Sequence, residues 1–119
     1  MAVYDQIHRA AREITETEEY RNLMLAREKV YQSEANRIML EGFQKKQNDL
    51  NKAHLAGEIL PKEKVEQMEQ LMEVMMMNPV IRDYRIAEMM LIRLMGDVEK
   101  ILWDAVRPAL IFKEELDLG

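Results

Sequence analysis

The chain has 119 residues, of which 48% are hydrophobic and 33% charged, with 4 Gly, 3 Pro and no cysteine. This composition is too hydrophobic for a disordered chain and too charged for a membrane protein, and the scarcity of Gly and Pro argues against an all-β fold. The net charge of −5 argues against a nucleic-acid-backbone binder, and the lack of cysteine excludes disulfides, thiolate nucleophiles and cysteine-bound metals.

Two amphipathic segments begin the chain. Residues 3–14 carry apolar side chains at helical spacing and predict a first helix. Thr15 and Thr17 are competing N-caps for a second helix that runs to Tyr31, because either hydroxyl can accept a hydrogen bond from a free backbone N–H. The first two helices are therefore expected to be separated by a cap or by a kink.

The middle of the chain predicts two further helices. Ser33 is the N-cap candidate of a helix over residues 34–56, and Gly57 suits its end because glycine tolerates a left-handed backbone. Pro61 begins the fourth helix, since proline is well placed in a first helical turn. The apolar face of that helix consists of Val65, Met68, Leu71, Met72, Met75 and Met76.

A long fifth helix is predicted over residues 78–106. Asn78 is a good N-cap, Pro79 fits the first helical position and Pro108 ends the helix. The tight corner at Asn78 predicts that helices four and five form an antiparallel pair. A coiled-coil-like seam, with spacings of four and three, runs through Val80, Tyr84, Ala87, Leu91, Leu94, Val98, Ile101 and Ala105.

The fifth helix has a second apolar line. Ile81, Ile92 and Trp103 recur every eleven residues, or three helical turns, and Met89 and Gly96 lie near them. A chain of this length cannot easily cover such a helix on two sides. We therefore expect the seam to pack within the chain and the second line to meet a second copy; the alternative is that both faces are covered within one chain.

Methionine is abundant, with 11 residues in the chain. Met75, Met76 and Met77 are consecutive, so they point around the helix and cannot all enter one core. They either fill gaps in a helical core or form an adaptable partner surface, and Trp103 is likewise either a core anchor or an interface hot spot. The predicted oligomer or partner interface comprises Ile81, Met89, Ile92, Gly96, Trp103, Met76 and Met77.

No pattern of catalytic or ligand-binding residues stands out. His8 and His54 occur outside the Glu-x-x-His and His-x-x-x-His spacings of helical metal sites, and glycine-rich phosphate loops are missing. The numerous carboxylates fall on predicted solvent-facing surfaces and helix starts. We therefore predict no catalytic residue, no cofactor, no metal and no enzymatic activity.

Several short segments, in order, resemble the YlbF/YmcA family of small helical bacterial proteins, and most closely its YheA-like branch. The segments are TEEY at 17–20, FQKKQ at 43–47, LAGEI at 55–59, NPVIRDY at 78–84, AE at 87–88 and GDV at 96–98. The resemblance covers nearly the whole chain.

The resemblance implies an all-α fold that self-associates and a regulatory role. Better-studied relatives act in competence, sporulation and biofilm control, within a complex that adjusts RNA processing by a membrane-bound endoribonuclease and involves iron–sulfur clusters and cysteine-bearing C-terminal tails. The present chain departs from that pattern because it has no cysteine and stops at Gly119.

The combined expectation is one all-α domain over residues 1–119, with about five helices, an antiparallel long-helix hairpin and a frayed tail at 109–119. The N-terminus has no apolar signal region and no run is long enough to span a membrane, which predicts a cytoplasmic protein. We expect a non-enzymatic adaptor or scaffold in developmental regulation or RNA processing that forms homo-oligomers and contacts other regulatory proteins, without binding nucleic acid or membranes. The alternative is a small-molecule-binding helical module with an apolar, methionine-lined pocket.

Overall fold

The computed structural model describes residues 1–111, and all of its regular structure is helical. The all-α prediction of about five helices is confirmed. The tail predicted to fray comprises residues 109–119, of which residues 112–119 lie outside the described residues. The elements are α1 (Ala2–Ile14), α2 (Glu18–Tyr31), α3 (Glu34–Leu55), α4 (Lys62–Met76), α5 (Pro79–Val106) and a 3-10 turn (Arg107–Ala109).

Hydroxyl side chains mark the starts of α2 and α3. The Tyr20 N–H donates to Thr17 Oγ1 at 3.3 Å, so Thr17 caps α2. The competing candidate Thr15 instead donates from its hydroxyl to the Arg12 carbonyl at the end of α1. At α3 the Asn36 N–H donates to Ser33 Oγ at 3.3 Å, which confirms Ser33 as the N-cap.

Gly57 ends α3 as predicted. Its φ of +80° is the left-handed conformation that side chains with a Cβ rarely adopt. The Gly57 N–H donates to the His54 carbonyl and the Glu58 N–H to the Ala53 carbonyl, both at 3.0 Å. These two bonds form a Schellman motif, which satisfies carbonyls that the helix leaves free. The connection that follows is short, and α4 begins at Lys62 with Pro61 as its N-cap.

The turn between α4 and α5 is capped by Asn78. Its side-chain oxygen accepts from the Val80 N–H at 3.1 Å and from the Ile81 N–H at 3.4 Å. Pro79 occupies the first helical position, where its missing N–H costs no hydrogen bond. The predicted start of α5 is therefore confirmed, and α5 gives way to the 3-10 turn containing Pro108.

The helix pair in closest backbone contact is α3 with α4, and not α4 with α5 as the corner at Asn78 suggested. In this pair α4 directs apolar side chains, including Met68 and Leu71, toward the core that Phe43 of α3 occupies. Consecutive helices joined by a short loop form such a hairpin readily.

The described residues group into two compact units. The first comprises Met1–Leu23 with residues 87–111, and we call it the terminal unit. The second is Met24–Ile86, which we call the central unit. The prediction of a single domain over the whole chain stays a prediction. All five buried side chains of the described residues lie in the central unit: Val30, Leu40, Phe43, Met75 and Ile81.

Candidate interaction surfaces

The terminal unit has no buried side chain among its described residues. In α1 every side chain is exposed except Ile14, which is half-buried, although Val3 and Ile7 give the helix an apolar face. A group of helices normally hides its apolar side chains in a shared core, because removing apolar surface from water is the main favourable term in folding. The terminal unit by itself leaves that surface in contact with solvent.

The seam of α5 is its more covered face. Six of its members are half-buried, whereas Ile101 and Ala105 near the end of α5 are exposed. The half-buried members are Val80, Tyr84, Ala87, Leu91, Leu94 and Val98. Periodicity therefore identified the inward-facing side of the helix, but the covering decreases toward its C-terminus.

The environment of Ile81 differs from the one predicted for the second apolar line of α5. Ile81 is fully buried, with 0% of its surface exposed, and packs in the core of the central unit, so its assignment to a partner interface is wrong. Ile92 and Trp103, in contrast, are 61% and 40% exposed. An eleven-residue spacing shows that residues share one side of a helix, but it does not show how far neighbouring helices extend along that side.

The remaining interface candidates on α5 lie in the terminal unit. Met89 is exposed, and a Cβ added at Gly96 would meet nothing within 4 Å. Together with Ile92 and Trp103 they form an exposed apolar set, which we call the α5 outer face. Other apolar residues of α5 are exposed as well, at positions around the helix: Ile86, Met90, Met95, Leu102 and Val106.

The three consecutive methionines have three different environments. Met75 is fully buried, Met76 is half-buried and Met77 is 77% exposed. Met75 lies in the core, which agrees with the alternative that these methionines fill gaps in a helical core. Met77 lies at the surface between α4 and α5. The seven predicted interface residues therefore divide between the two units.

A solvent-open groove of about 520 Å³ lies between α3 and α4 within the central unit. Its apolar lining is Leu50, Met68, Leu71 and Val74, and charged side chains from both helices lie beside it. The sequence analysis expected an apolar pocket lined by methionines, whereas Met68 is the one methionine that lines this groove. Neither α3 nor α4 shows the groove in its own periodicity, because the groove is lined by residues of both helices.

Charged side chains near the end of α5 form a small network that the sequence analysis did not identify. Lys100 Nζ donates to Asp104 Oδ2 at 2.8 Å, and Arg107 lies 3.6 Å from the same carboxylate. The hydrogen bond from Lys100 holds the pKa of Asp104 below its ordinary value; partial desolvation opposes this, and the positive charges of Lys100 and Arg107 add to it. These surface interactions stabilise the C-terminal end of α5.

The histidines and carboxylates do not converge. His8 and His54 are both exposed. Within residues 1–111 no three His, Asp or Glu side chains come close enough together to hold a metal ion. In the same range, no helix combines the length and apolar content that a membrane span requires.

Comparison with known proteins shows which family the chain belongs to. Residues 3–107 match the family model described as "Control of competence regulator ComK, YlbF/YmcA". The chain belongs to the YlbF/YmcA family. The resemblance found in the sequence is thereby confirmed for the family, and its YheA-like branch stays a prediction.

Relatives of this YlbF/YmcA chain share nearly its full length. A UPF0342 protein of Caldicellulosiruptor bescii is 34% identical over 96% of this chain and 92% of that protein. A UPF0342 protein of Symbiobacterium thermophilum is 38% identical over 87% of this chain and 93% of its own length. A solved structure, a protein of unknown function (DUF964) from Bacillus stearothermophilus, superposes with a TM-score of 0.81 at 17% identity, covering 89% of this chain and 93% of that chain. At that identity the superposition shows a shared fold.

Proposed function

We propose that this YlbF/YmcA protein is a non-enzymatic, cytoplasmic regulatory adaptor that acts through protein–protein contacts and self-associates. The observation that carries the proposal is that no described side chain of the terminal unit is buried, while Ile92 and Trp103 are 61% and 40% exposed. Large exposed apolar patches on a folded protein mark surfaces that meet other molecules. The α5 outer face is such a patch.

The family supports the regulatory half of the proposal. Its model is described by the control of a competence regulator, which is a regulatory role and not a chemical reaction. We infer a role of the same kind, in developmental control such as competence, sporulation or biofilm formation, or in RNA processing. The test is affinity purification of the full chain from its native host with identification of the bound proteins. Recovery of a regulatory protein that is lost with an α5 outer-face variant supports the role, and recovery that is unaffected by that variant contradicts it.

Self-association is tested by the solution mass. Multi-angle light scattering at micromolar concentration is expected to give a multiple of the 14.1 kDa chain mass. Ile92→Glu places a charge on the α5 outer face and is expected to lower that mass. Ile59→Glu is the matched control, because Ile59 is 96% exposed and lies in the loop before α4. A wild-type chain that stays monomeric would contradict the proposal.

A further inference from the structure

The groove between α3 and α4 has an apolar lining and charged side chains that form no ion pair with the described residues. Lys46 of α3 and Lys64 of α4 lie on its two walls, with Asp49 on the α3 side. None of these three side chains forms an ion pair with another described residue, whereas elsewhere on the same helices Arg37 pairs with Glu41 and Lys62 with Glu66. Within residues 1–111 the groove therefore offers two positive charges and one negative charge without an ion-pair partner, beside an apolar surface.

The segment 112–119 of the chain, outside the described part, has the complementary chemistry. It contains three acidic residues, Glu114, Glu115 and Asp117, and one basic residue, Lys113. Its apolar residues are Phe112, Leu116 and Leu118. The side chains of the segment carry a net charge of −2 and those of the groove a net charge of +1, so the two are opposite in sign. The apolar residues match the lining formed by Leu50, Met68, Leu71 and Val74.

We propose that the groove between α3 and α4 binds the C-terminal segment 112–119 of a second copy of this chain. The inference rests on the proposed self-association, which brings the segment of a neighbouring copy to the groove at high effective concentration. Burial of the apolar residues supplies most of the affinity, and the ion pairs select the acidic segment and its register. This contact is distinct from the α5 outer face.

The absence of cysteine makes disulfide trapping a clean test. In the full chain, Gln67→Cys combined with Asp117→Cys places one thiol in the groove and one in the segment. The matched control is Glu69→Cys with Asp117→Cys, because Glu69 is exposed on α4 but lies about 200° further round the helix and does not line the groove. Mild oxidation is expected to give several-fold more covalent dimer with the Gln67 pair. Equal dimer yields, or disulfides formed only within single chains, overturn the proposal.

Charge reversal tests the proposed recognition. Lys46→Glu with Lys64→Glu, introduced into the Gln67 cysteine pair, is expected to lower the dimer yield about threefold to tenfold, as the loss of two solvent-exposed ion pairs allows. Adding Glu114→Lys and Glu115→Lys is expected to restore it. Both lysines are exposed, and circular dichroism checks that the fold is kept. A dimer yield that is insensitive to both changes overturns the assignment of the acidic segment.

Light scattering on the wild-type chain separates this inference from the proposed function. A monomeric wild type contradicts self-association, and the groove contact with it. An oligomeric wild type whose Gln67 and Glu69 cysteine pairs crosslink equally leaves self-association intact and removes the groove contact alone.

Discussion

The Asn78 side chain joins the beginnings of two helices. Its Nδ2 donates to Asn36 Oδ1 at 2.8 Å, while its own Oδ1 accepts from backbone N–H groups of the first turn of α5. Asn36 lies in the first turn of α3, which Ser33 caps. One asparagine therefore caps its own helix and holds it against another, beside the buried Ile81.

Asn78→Ala is expected to lower the free energy of unfolding by about 1–3 kcal/mol, because it removes an N-cap and leaves the partly buried Asn36 oxygen without its donor. Asn36→Ala is expected to cost less, since it removes the link and keeps the cap. Urea denaturation of both single variants and the double variant measures the coupling between the two side chains. Strictly additive losses would show that the 2.8 Å bond contributes nothing to stability.

Two isoleucines of α5 form a matched pair, because Ile81 is fully buried and Ile92 is 61% exposed. Ile81→Ala is expected to reduce the free energy of unfolding by about 2–5 kcal/mol, through lost burial and the cavity left behind. Ile92→Ala is expected to change it by less than about 0.5 kcal/mol in dilute solution and to weaken self-association. Thermal unfolding at low concentration, followed by light scattering, distinguishes the two. Similar destabilisation by both would contradict the burial difference.

Trp103→Ala is expected to weaken self-association about tenfold or more, because exposed tryptophans on an interface commonly dominate its affinity. The helix content should be preserved, since Trp103 is 40% exposed in the single chain. Analytical ultracentrifugation and circular dichroism give the two readouts. Leu55→Ala, at an exposed position of α3, is the control that should affect neither. Lost helicity with an unchanged oligomer would contradict the prediction.

Gly42 in α3 and Gly96 in α5 test whether a neighbour covers the α5 outer face. An added Cβ meets nothing within 4 Å at either position in the single chain. Alanine at each position is therefore expected to stabilise its helix by about 0.5–1 kcal/mol. Gly96→Ala should in addition weaken self-association, because a methyl group there intrudes on a closely packed second copy. Both variants assembling like the wild type would remove Gly96 from the interface.

Because the pKa of Asp104 is lowered, we expect a small loss of helical order at the end of α5 in acid. This pKa is lowered from the ordinary 3.8, so the stabilising contribution of the carboxylate is fully present above that pH and is lost as the pH falls through the lowered pKa. Titration of the carboxyl carbon by NMR is expected to give a midpoint below 3.8. Lys100→Met should move the midpoint upward, because it removes the hydrogen bond. A midpoint unaffected by Lys100→Met would contradict this cause.

Local chemistry determined most of the secondary structure. The caps at Ser33 and Asn78 and the left-handed turn at Gly57 were predictable, because each depends on one side chain and the backbone within a few residues of it. The choice between Thr15 and Thr17 was left open, since both hydroxyls are suitable acceptors. The family could also be inferred from ordered short segments, and the match to residues 3–107 confirmed it.

The sequence by itself thus determined the starts of α3 and α5, the end of α3 and which side of α5 faces inward. The tertiary structure alone decided that Ile81 is core while Ile92, on the same side of the same helix, is exposed. It also decided that α4 packs closely on α3 and leaves a groove between them. The physical reason is that helical periodicity depends only on the 3.6-residue repeat, whereas burial depends on how far other helices reach along each face.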